Sequence, residues 1–176
     1  MKINTLVLIL IIFFGALSCK DDVQALPERN EQAISTFYFI RHAEKDRSNP
    51  ENLDPELNQD GLGRAIRWAE VFHYIPLDAI YSTDFERTEM TAAPTAVKQD
   101  LVLQYYSPEN FDVAQFKEAN LGKNVLVVGH SNSIPELVNK MLGEEKYEPL
   151  DDYDNSSLFI IRTIDGRMTD IRLKMD

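Results

Sequence analysis

The sequence predicts an α/β fold, a three-layer α/β/α sandwich whose central sheet is mostly parallel and carries helices on both faces. Two observations support this fold class. Short apolar runs typical of buried strands alternate with longer segments of helical spacing, which is the pattern of a parallel sheet covered by helices. With 176 residues, the chain is long enough for one such domain with its own core.

The first strand is predicted at 36–41, an apolar and aromatic run. It stops where Arg41 and His42 begin a charged and polar stretch. The segment 46–60 is polar and contains two prolines. We expect it to form a surface loop beside the end of the first strand.

The elements that follow alternate in type. A helix at about 62–74 is followed by a strand at 79–82, a helix at 85–98, a strand at 101–106, a short helix at 113–121, a strand at 124–128 and a helix at 134–142. Pro94 is expected to kink or shorten the second helix, because proline lacks a backbone donor. Strands at 158–164 and 168–173 flank Asp165-Gly166, a two-residue hairpin signal, and should close one edge of the sheet.

The charge of the chain limits its partners. A formal net charge of −11 argues against nucleic-acid binding, because a polyanion is repelled by most of such a surface. An anionic small substrate is compatible only if basic side chains converge locally. The single cysteine excludes a disulfide within the chain, and no feature of the sequence indicates an oligomeric state.

The amino-terminal segment has the features of a secretory signal. Residues 1–18 combine an early lysine, an apolar run and small residues near the end. Cys19 follows directly and resembles the acylated cysteine of a bacterial lipoprotein, so residues 19–35 would tether a domain at 36–176. We therefore expect a lipid-anchored protein of the bacterial envelope, attached to the outer membrane and facing either the periplasm or the cell surface. An ordinary signal or an uncleaved anchor helix is the alternative.

Basic side chains follow two of the predicted strands. Arg41 and His42 end the first strand, and His130 follows the strand at 124–128. Arg87 stands near the start of the helix after the strand at 79–82. Open α/β sheets place their ligand crevice at the carboxyl ends of parallel strands, so we expect these side chains to converge there.

The same residues form three motifs of a known family. They are Arg41-His42-Ala43-Glu44, Ser82-x-x-x-x-Arg87-Thr88-x-x-Thr91-Ala92 and Gly129-His130-Ser131-Asn132. In this order they resemble the histidine phosphatase superfamily, the phosphoglycerate mutase-like group, over about residues 36–142. The resemblance implies a phosphoglycerate mutase-like fold, a small phosphorylated substrate and a metal-independent reaction through a phosphohistidine.

Chemistry assigns a role to each motif residue. His42 is the candidate nucleophile, because a neutral imidazole can attack phosphorus without a helper base. Arg41 and Arg87 can bind the phosphoryl oxygens in two-pronged fashion. The resemblance implies that His130 is a further phosphate ligand. We expect Ser131 and Asn132, at the entrance to a helix, to add hydrogen-bond donors for the anion.

The proton donor for the leaving group is the least defined residue. Glu109 is the first candidate by position, followed by Glu44 and Glu89, although the loop in which the family carries its glutamate is not recognisable here. We expect neither a metal nor another cofactor. A zinc site of His42, His130 and Glu44 is the alternative, but two neighbouring arginines would repel a cation.

The length of one connection favours a phosphatase over a mutase. Only about 18 residues join the third strand to the fourth, whereas the mutases of the family insert long capping segments, so the pocket should be open to water. We therefore expect a phosphomonoester hydrolase of the histidine acid phosphatase type. A non-catalytic pseudophosphatase that binds an anionic envelope ligand and a phosphohistidine protein phosphatase are the alternatives.

Overall fold

A computed structural model describes residues 33–175, which form one six-stranded sheet and four α-helices. The strands are β1 (Ile34–Arg41), β2 (Ala79–Ser82), β3 (Leu103–Tyr105), β4 (Asn124–Gly129), β5 (Ser157–Ile164) and β6 (Arg167–Lys174); the helices are α1 (Gln59–Val71), α2 (Glu86–Gln99), α3 (Val113–Ala119) and α4 (Ser133–Leu142). The predicted signal at 1–18, Cys19 and most of the predicted tether lie outside the described residues. Within residues 33–175, no helix is both long enough and apolar enough to cross a membrane.

The strand order is β3-β2-β4-β1-β5-β6. The first four of these strands are parallel, and β5 runs antiparallel to both β1 and β6. The sheet is therefore mixed, with its parallel part at the centre and one edge and the predicted hairpin at the other. The hairpin turn has positive φ at Asp165 (50°) and Gly166 (75°), as the mirror-image turns of two-residue hairpins require.

Helices cover both faces of the sheet, and the pleat of each strand divides its side chains between them. Phe37, Phe39 and Val127 pack with α3 and α4, whereas Ile40 and Leu126 pack with α1 and α2. All five side chains are almost completely buried. This alternation gives the protein two apolar cores separated by one sheet and confirms the predicted three-layer fold.

The ends of several elements differ from the prediction for local reasons. Helix α1 begins at Gln59 because the Asn58 side chain accepts a hydrogen bond from the Gly61 amide at 2.9 Å and caps the helix. Pro94 lies inside α2 without ending it, and β3 retains only three residues of the strand predicted at 101–106.

Candidate active site

The register of the two central strands brings the two motif histidines together. Arg41 at the end of β1 lies opposite Gly129 at the end of β4, and the His42 amide donates to the Gly129 carbonyl at 2.8 Å. The side chains that follow, His42 and His130, have ring centroids 5.6 Å apart at an angle of 64°. Two histidines that are 88 positions apart in sequence thus share one location.

The His42 ring is fixed in one tautomer. Its Nδ1 lies 2.7 Å from the Ala43 carbonyl oxygen, and because a carbonyl can only accept, Nδ1 carries the proton. The neutral ring therefore has its lone pair on Nε2. His42 is 3% exposed, and burial lowers its pKa to about 3, with further lowering by the charges of Arg41, His130 and Arg87.

Arg41 is held from the segment before β5. Its Nη1 donates to the Asp151 carbonyl at 2.8 Å, and its Nη2 donates to the Asp152 carboxylate at 2.8 Å. The side chain is 2% exposed. Arg47 binds the same carboxylate at 2.7 Å, and the hydrogen bond from Arg47 is the main cause that lowers the pKa of Asp152 to about 2, with Arg41 contributing.

Arg87 lies in the first turn of α2 and is held from the loop between β1 and α1. Its Nη1 donates to the Asp54 carboxylate at 3.1 Å, and its guanidinium carbon lies 4.4 Å from the centre of the Phe85 ring. Burial lowers the pKa of Arg87. The Nε atoms of both Arg41 and Arg87 are buried without an acceptor among the described residues.

His130 is held between Arg87 and a threonine. Its Nδ1 lies 3.5 Å from Nη2 of Arg87, which can only donate, so Nδ1 bears the lone pair and Nε2 the proton. Nε2 is 3.0 Å from the Thr83 hydroxyl. Burial is the main cause that lowers the pKa of His130 to about 4, followed by the charges of Arg87 and Arg41.

The structure does not bring the Ser131 and Asn132 side chains to this cluster through any hydrogen bond found among the described residues. The Ser131 carbonyl accepts from the Leu150 amide at 2.8 Å. Asn132 lines a separate cavity of about 230 Å³ beside α4. The neighbouring Ser133 accepts a hydrogen bond from the His130 amide at 3.1 Å. The contact of Ser131 and Asn132 with phosphate stays a prediction.

The candidate proton donors occupy different surroundings. Glu109 is exposed on a turn after β3, where the Ser107 hydroxyl donates to it at 2.6 Å and lowers its pKa. It acts on His130 through its charge. Glu44 is bound by Arg64 of α1 at 2.7 Å, and Glu89 lies beside Tyr105 and raises the pKa of that tyrosine. The pKa values of both Glu109 and Glu44 are lowered, which favours their ionised forms, and the identity of the proton donor stays a prediction.

Several residues around the cluster carry no signal in the sequence. Asp54 and Asp152 belong to polar loops, and their partners Arg87 and Arg41 are 33 and 111 positions away. Thr83 lies inside the second motif at a position that the motif leaves unspecified. Residues 33–175 contain no group of three or more His, Cys, Asp or Glu side chains arranged to hold a metal ion.

Comparisons with known proteins show which family and which folds this chain is similar to. The model of the histidine phosphatase superfamily (branch 1) matches residues 37–108, which include Arg41, His42 and Arg87. No curated protein sequence matches the chain significantly.

Solved structures share the fold over nearly their whole length. Phosphoglycerate mutase from Bacillus anthracis matches with a TM-score of 0.64 and 17% identity, covering 81% of this chain and 93% of that chain. A candidate phosphohistidine phosphatase, SixA, from Agrobacterium tumefaciens matches with a TM-score of 0.58 and 19% identity, covering 79% and 97%. A mycobacterial glucosyl-3-phosphoglycerate phosphatase matches with a TM-score of 0.58 and 15% identity, covering 81% of this chain and 100% of that chain. The chain is thus similar to the histidine phosphatase superfamily over its first two motifs, and it shares its fold with these solved structures.

Proposed function

We propose that this protein is a metal-independent phosphomonoester hydrolase that acts through a phosphohistidine at His42 on a small phosphorylated substrate. The observation that carries the proposal is the state of the His42 ring. Its proton is held on Nδ1 by the Ala43 carbonyl, so the lone pair of Nε2 is free within a cluster that contains two arginines and a second histidine.

The reaction has two displacements at phosphorus. In the first, Nε2 of His42 forms a bond to phosphorus while the bond from phosphorus to the leaving oxygen breaks, and that oxygen takes up a proton. In the second, water attacks the phosphohistidine, the N–P bond breaks, and inorganic phosphate and free His42 result. Arg41 and Arg87 supply the fixed positive charge that stabilises the equatorial oxygens in both steps.

Turnover and trapping of the intermediate test the proposal. The purified full-length chain should hydrolyse 4-nitrophenyl phosphate, and His42→Ala should lose at least about a thousandfold in kcat, because it removes the nucleophile. His73→Ala is the matched control, since His73 lies exposed on a turn after α1. Rapid acid-free quenching and mass spectrometry should find a phosphoryl group on the peptide containing residue 42.

Two results would contradict the proposal. If His42→Ala keeps turnover comparable with the His73→Ala control, the nucleophile is misassigned. If the wild-type chain binds phosphate or vanadate but hydrolyses no phosphate ester or phosphohistidine, the pocket belongs to a binding protein, the pseudophosphatase alternative.

A phosphohistidine substrate is the second candidate function. It is favoured by the surroundings of Glu109, whose carboxylate is exposed and has a lowered pKa, because an imidazole leaving group needs less assistance from an acid than an alkoxide does. The chain should then hydrolyse a phosphohistidine peptide far faster than an alkyl phosphate. Comparable rates on the two substrates would contradict it.

We also propose that the protein is anchored in the bacterial envelope through acylation of Cys19. The support is the sequence of residues 1–19. Expression in a bacterial host with an alkyne-labelled fatty acid should label the wild-type chain in the membrane fraction, whereas Cys19→Ser should be unlabelled. Equal labelling of the two chains, or labelling of neither, would overturn this proposal.

A further inference from the structure

Two polar side chains hold the peptide group that follows the Cα atom of His42. The Asn155 side-chain amide donates to the His42 carbonyl at 2.8 Å, and the Ala43 amide donates to the Thr91 hydroxyl at 2.9 Å. The carbonyl of His42 and the amide of Ala43 belong to one planar peptide group. Thr91 is fully buried and Asn155 is 5% exposed. Both ends of this peptide group are therefore bound by buried side chains, and we call these two hydrogen bonds the peptide clamp.

The peptide group that precedes the Cα atom of His42 is fixed as well. The His42 amide donates to the Gly129 carbonyl at 2.8 Å, where β1 ends beside β4. Because the peptide planes on both sides of this Cα atom are fixed, the φ and ψ angles of His42 and the direction of its Cα–Cβ bond are fixed too. The hydrogen bond between Nδ1 and the Ala43 carbonyl then sets the rotation of the ring. The position of Nε2 thus depends on three remote segments, which are β4, α2 and the segment before β5.

The two residues of the peptide clamp come from the segments that contact the arginines. Thr91 lies in α2, one turn after Arg87, and its hydroxyl donates to the Arg87 carbonyl at 2.7 Å. Asn155 belongs to the segment before β5, in which the Asp151 carbonyl accepts a hydrogen bond from Arg41 at 2.8 Å. The segments that contact the two arginines therefore also hold the peptide beside the nucleophile.

We propose that Thr91 and Asn155 are positioning residues, and that the peptide clamp orients the His42 imidazole with Nε2 towards the phosphoryl group. This inference rests on the proposed hydrolase function and adds two residues that act on the reaction only through His42. A reacting group has to be held within about 0.5 Å of its productive position. Release of either end of the peptide group should therefore slow the chemical step. Phosphate binding should change little, because Asp152 and Asp54 hold the Arg41 and Arg87 side chains independently of the clamp.

Substitutions at the two ends of the peptide clamp test the proposal. Thr91→Ser and Thr91→Val form a matched pair, because serine keeps the hydroxyl, whereas valine keeps the shape of the side chain without it. In the full-length chain, Thr91→Val should lose at least about tenfold in kcat on 4-nitrophenyl phosphate, with the inhibition constant for phosphate changed less than about twofold. Thr91→Ser should stay within about threefold of the wild-type kcat. Asn155→Leu, which removes the donor to the His42 carbonyl, should behave as Thr91→Val does.

Asn120→Leu is the control for the loss of a buried asparagine. Asn120 is fully buried directly after α3, and its side-chain amide donates to the Phe116 carbonyl at 2.9 Å. This variant should be destabilised, as Asn155→Leu is, but it should keep the wild-type kcat at a temperature at which both variants are folded. Thermal unfolding of each variant identifies that temperature. Because Thr91→Val and Asn155→Leu release opposite ends of the same peptide group, the test survives if one of them does not fold.

Nitrogen-15 NMR of the His42 ring supplies a readout that requires no turnover. In the wild-type chain, Nδ1 should have the chemical shift of a protonated ring nitrogen and Nε2 that of an unprotonated one, because the Ala43 carbonyl holds the proton. In Thr91→Val and Asn155→Leu the two shifts should move towards each other, because the released ring populates both tautomers. Thr91→Ser and Asn120→Leu should keep the wild-type pattern.

The outcomes separate the peptide clamp from the hydrolase. Wild-type kcat or wild-type ring shifts in a folded Thr91→Val or Asn155→Leu would overturn the clamp and leave the hydrolase intact. A loss of kcat in Asn120→Leu as large as that in Asn155→Leu would also overturn the clamp, because the effect would then follow stability. A wild-type chain without turnover would overturn the hydrolase, and the ring shifts alone would then decide whether the clamp orients His42.

Discussion

At the residue scale, the partners of the two ring nitrogens of His130 determine which nitrogen donates and which accepts a hydrogen bond. Arg87 can only donate to Nδ1, so Nε2 donates to the Thr83 hydroxyl. The Thr88 hydroxyl lies 2.9 Å from that of Thr83 and donates to the Phe85 carbonyl at 2.8 Å. Each group therefore donates to the next, from Arg87 through His130, Thr83 and Thr88 to the Phe85 carbonyl. This series of hydrogen bonds allows the His130 ring only one orientation.

The His42 and His130 rings should stay neutral far into acid. Their pKa values are lowered to about 3 and about 4, so neither imidazole NMR signal should titrate between pH 7 and pH 5. A bound vanadate or phosphate dianion offsets the arginine charges and should raise both midpoints. A midpoint between pH 6 and 7 for either ring without ligand would contradict the expected burial.

The same shifts make stability depend on pH. The unfolded chain protonates these imidazoles near the usual pKa of about 6.5, whereas the folded protein resists protonation until about pH 4. The stability contributed by neutral rings is therefore complete above about pH 6.5 and is lost as the pH falls towards 4. Urea unfolding at a series of pH values measures this loss, and His42→Phe should reduce its slope.

Thr83 is predicted to position His130. Thr83→Val removes the acceptor for Nε2 while keeping the shape of the side chain, and should lower kcat about fivefold for a lost hydrogen bond of about 1 kcal/mol. The matched control is Thr95→Val in α2, since Thr95 is also buried but its hydroxyl has no partner among the described residues. Equal kcat values for the two variants would remove Thr83 from the site.

The basic side chains that the structure brings together were predictable from the sequence, whereas the aspartates that bind two of them were not. Arg41, His42 and His130 follow apolar strands, where parallel sheets bring chain ends together, and this pattern is local. Asp54 and Asp152 come from surface loops whose paths depend on tertiary contacts. Many carboxylates in this acidic chain could have paired with the arginines, and no local pattern distinguishes these two.

At the element scale, the start of α1 packs directly on the segment after His42. A Cβ atom on Gly61 would lie 2.1 Å from the Glu44 carbonyl oxygen, whereas one on Gly63 would meet only the flexible Arg67 side chain at 3.4 Å. Gly61→Ala should therefore destabilise the protein by about 3 kcal/mol. Gly63→Ala should be neutral or stabilising by up to about 1 kcal/mol.

Chemical denaturation of the two alanine variants measures the difference. The Asn58 amide donates to the same Glu44 carbonyl at 2.9 Å. Gly61→Ala should therefore also reduce kcat, because a displaced Glu44 carbonyl shifts the segment that follows His42. Equal stability of the Gly61 and Gly63 variants would show that the segment can move away from the helix without cost.

Helix α2 depends on a carboxylate from another segment. Asp54 accepts from the Glu86 amide at 3.2 Å and from Arg87, so it caps the helix and competes with phosphate for the guanidinium. Asp54→Asn should lower the inhibition constant for phosphate a few-fold, because the competing charge is removed. Glu51→Gln, on the same loop, is the control. A raised inhibition constant in Asp54→Asn would mean that positioning of Arg87 outweighs competition.

Element types were more predictable than their ends. The apolar periodicity of α1, α2 and α4 predicts that these segments are helices, and the signal at Asp165-Gly166 predicts the hairpin. The ends depend on single contacts, such as the Asn58 cap or the pairing of β3 with β2 over three residues. Such contacts are set by tertiary packing, which a local pattern does not contain.

At the scale of the whole molecule, the central strands are shared by two apolar cores. Leu126 and Val127 are adjacent on β4 and fully buried, but they belong to opposite cores. The alternation of strands and helices predicts these layers, because each strand must bury both faces. The mixed character of the sheet follows from the final hairpin, whose strand β5 pairs antiparallel with β1.

This arrangement predicts that damage to either core unfolds both. Leu126→Ala should cost about 3 kcal/mol and Val127→Ala about 2 kcal/mol. The single tryptophan, Trp68, packs in the core of Leu126. Its fluorescence should nevertheless report the Val127→Ala transition at the same denaturant concentration as circular dichroism, because the strand is shared.

Val102→Ala, at an exposed position, should leave the midpoint unchanged. Separate fluorescence and dichroism midpoints in Val127→Ala would show that the two faces unfold independently, and the site at the strand ends would then depend on only one of them.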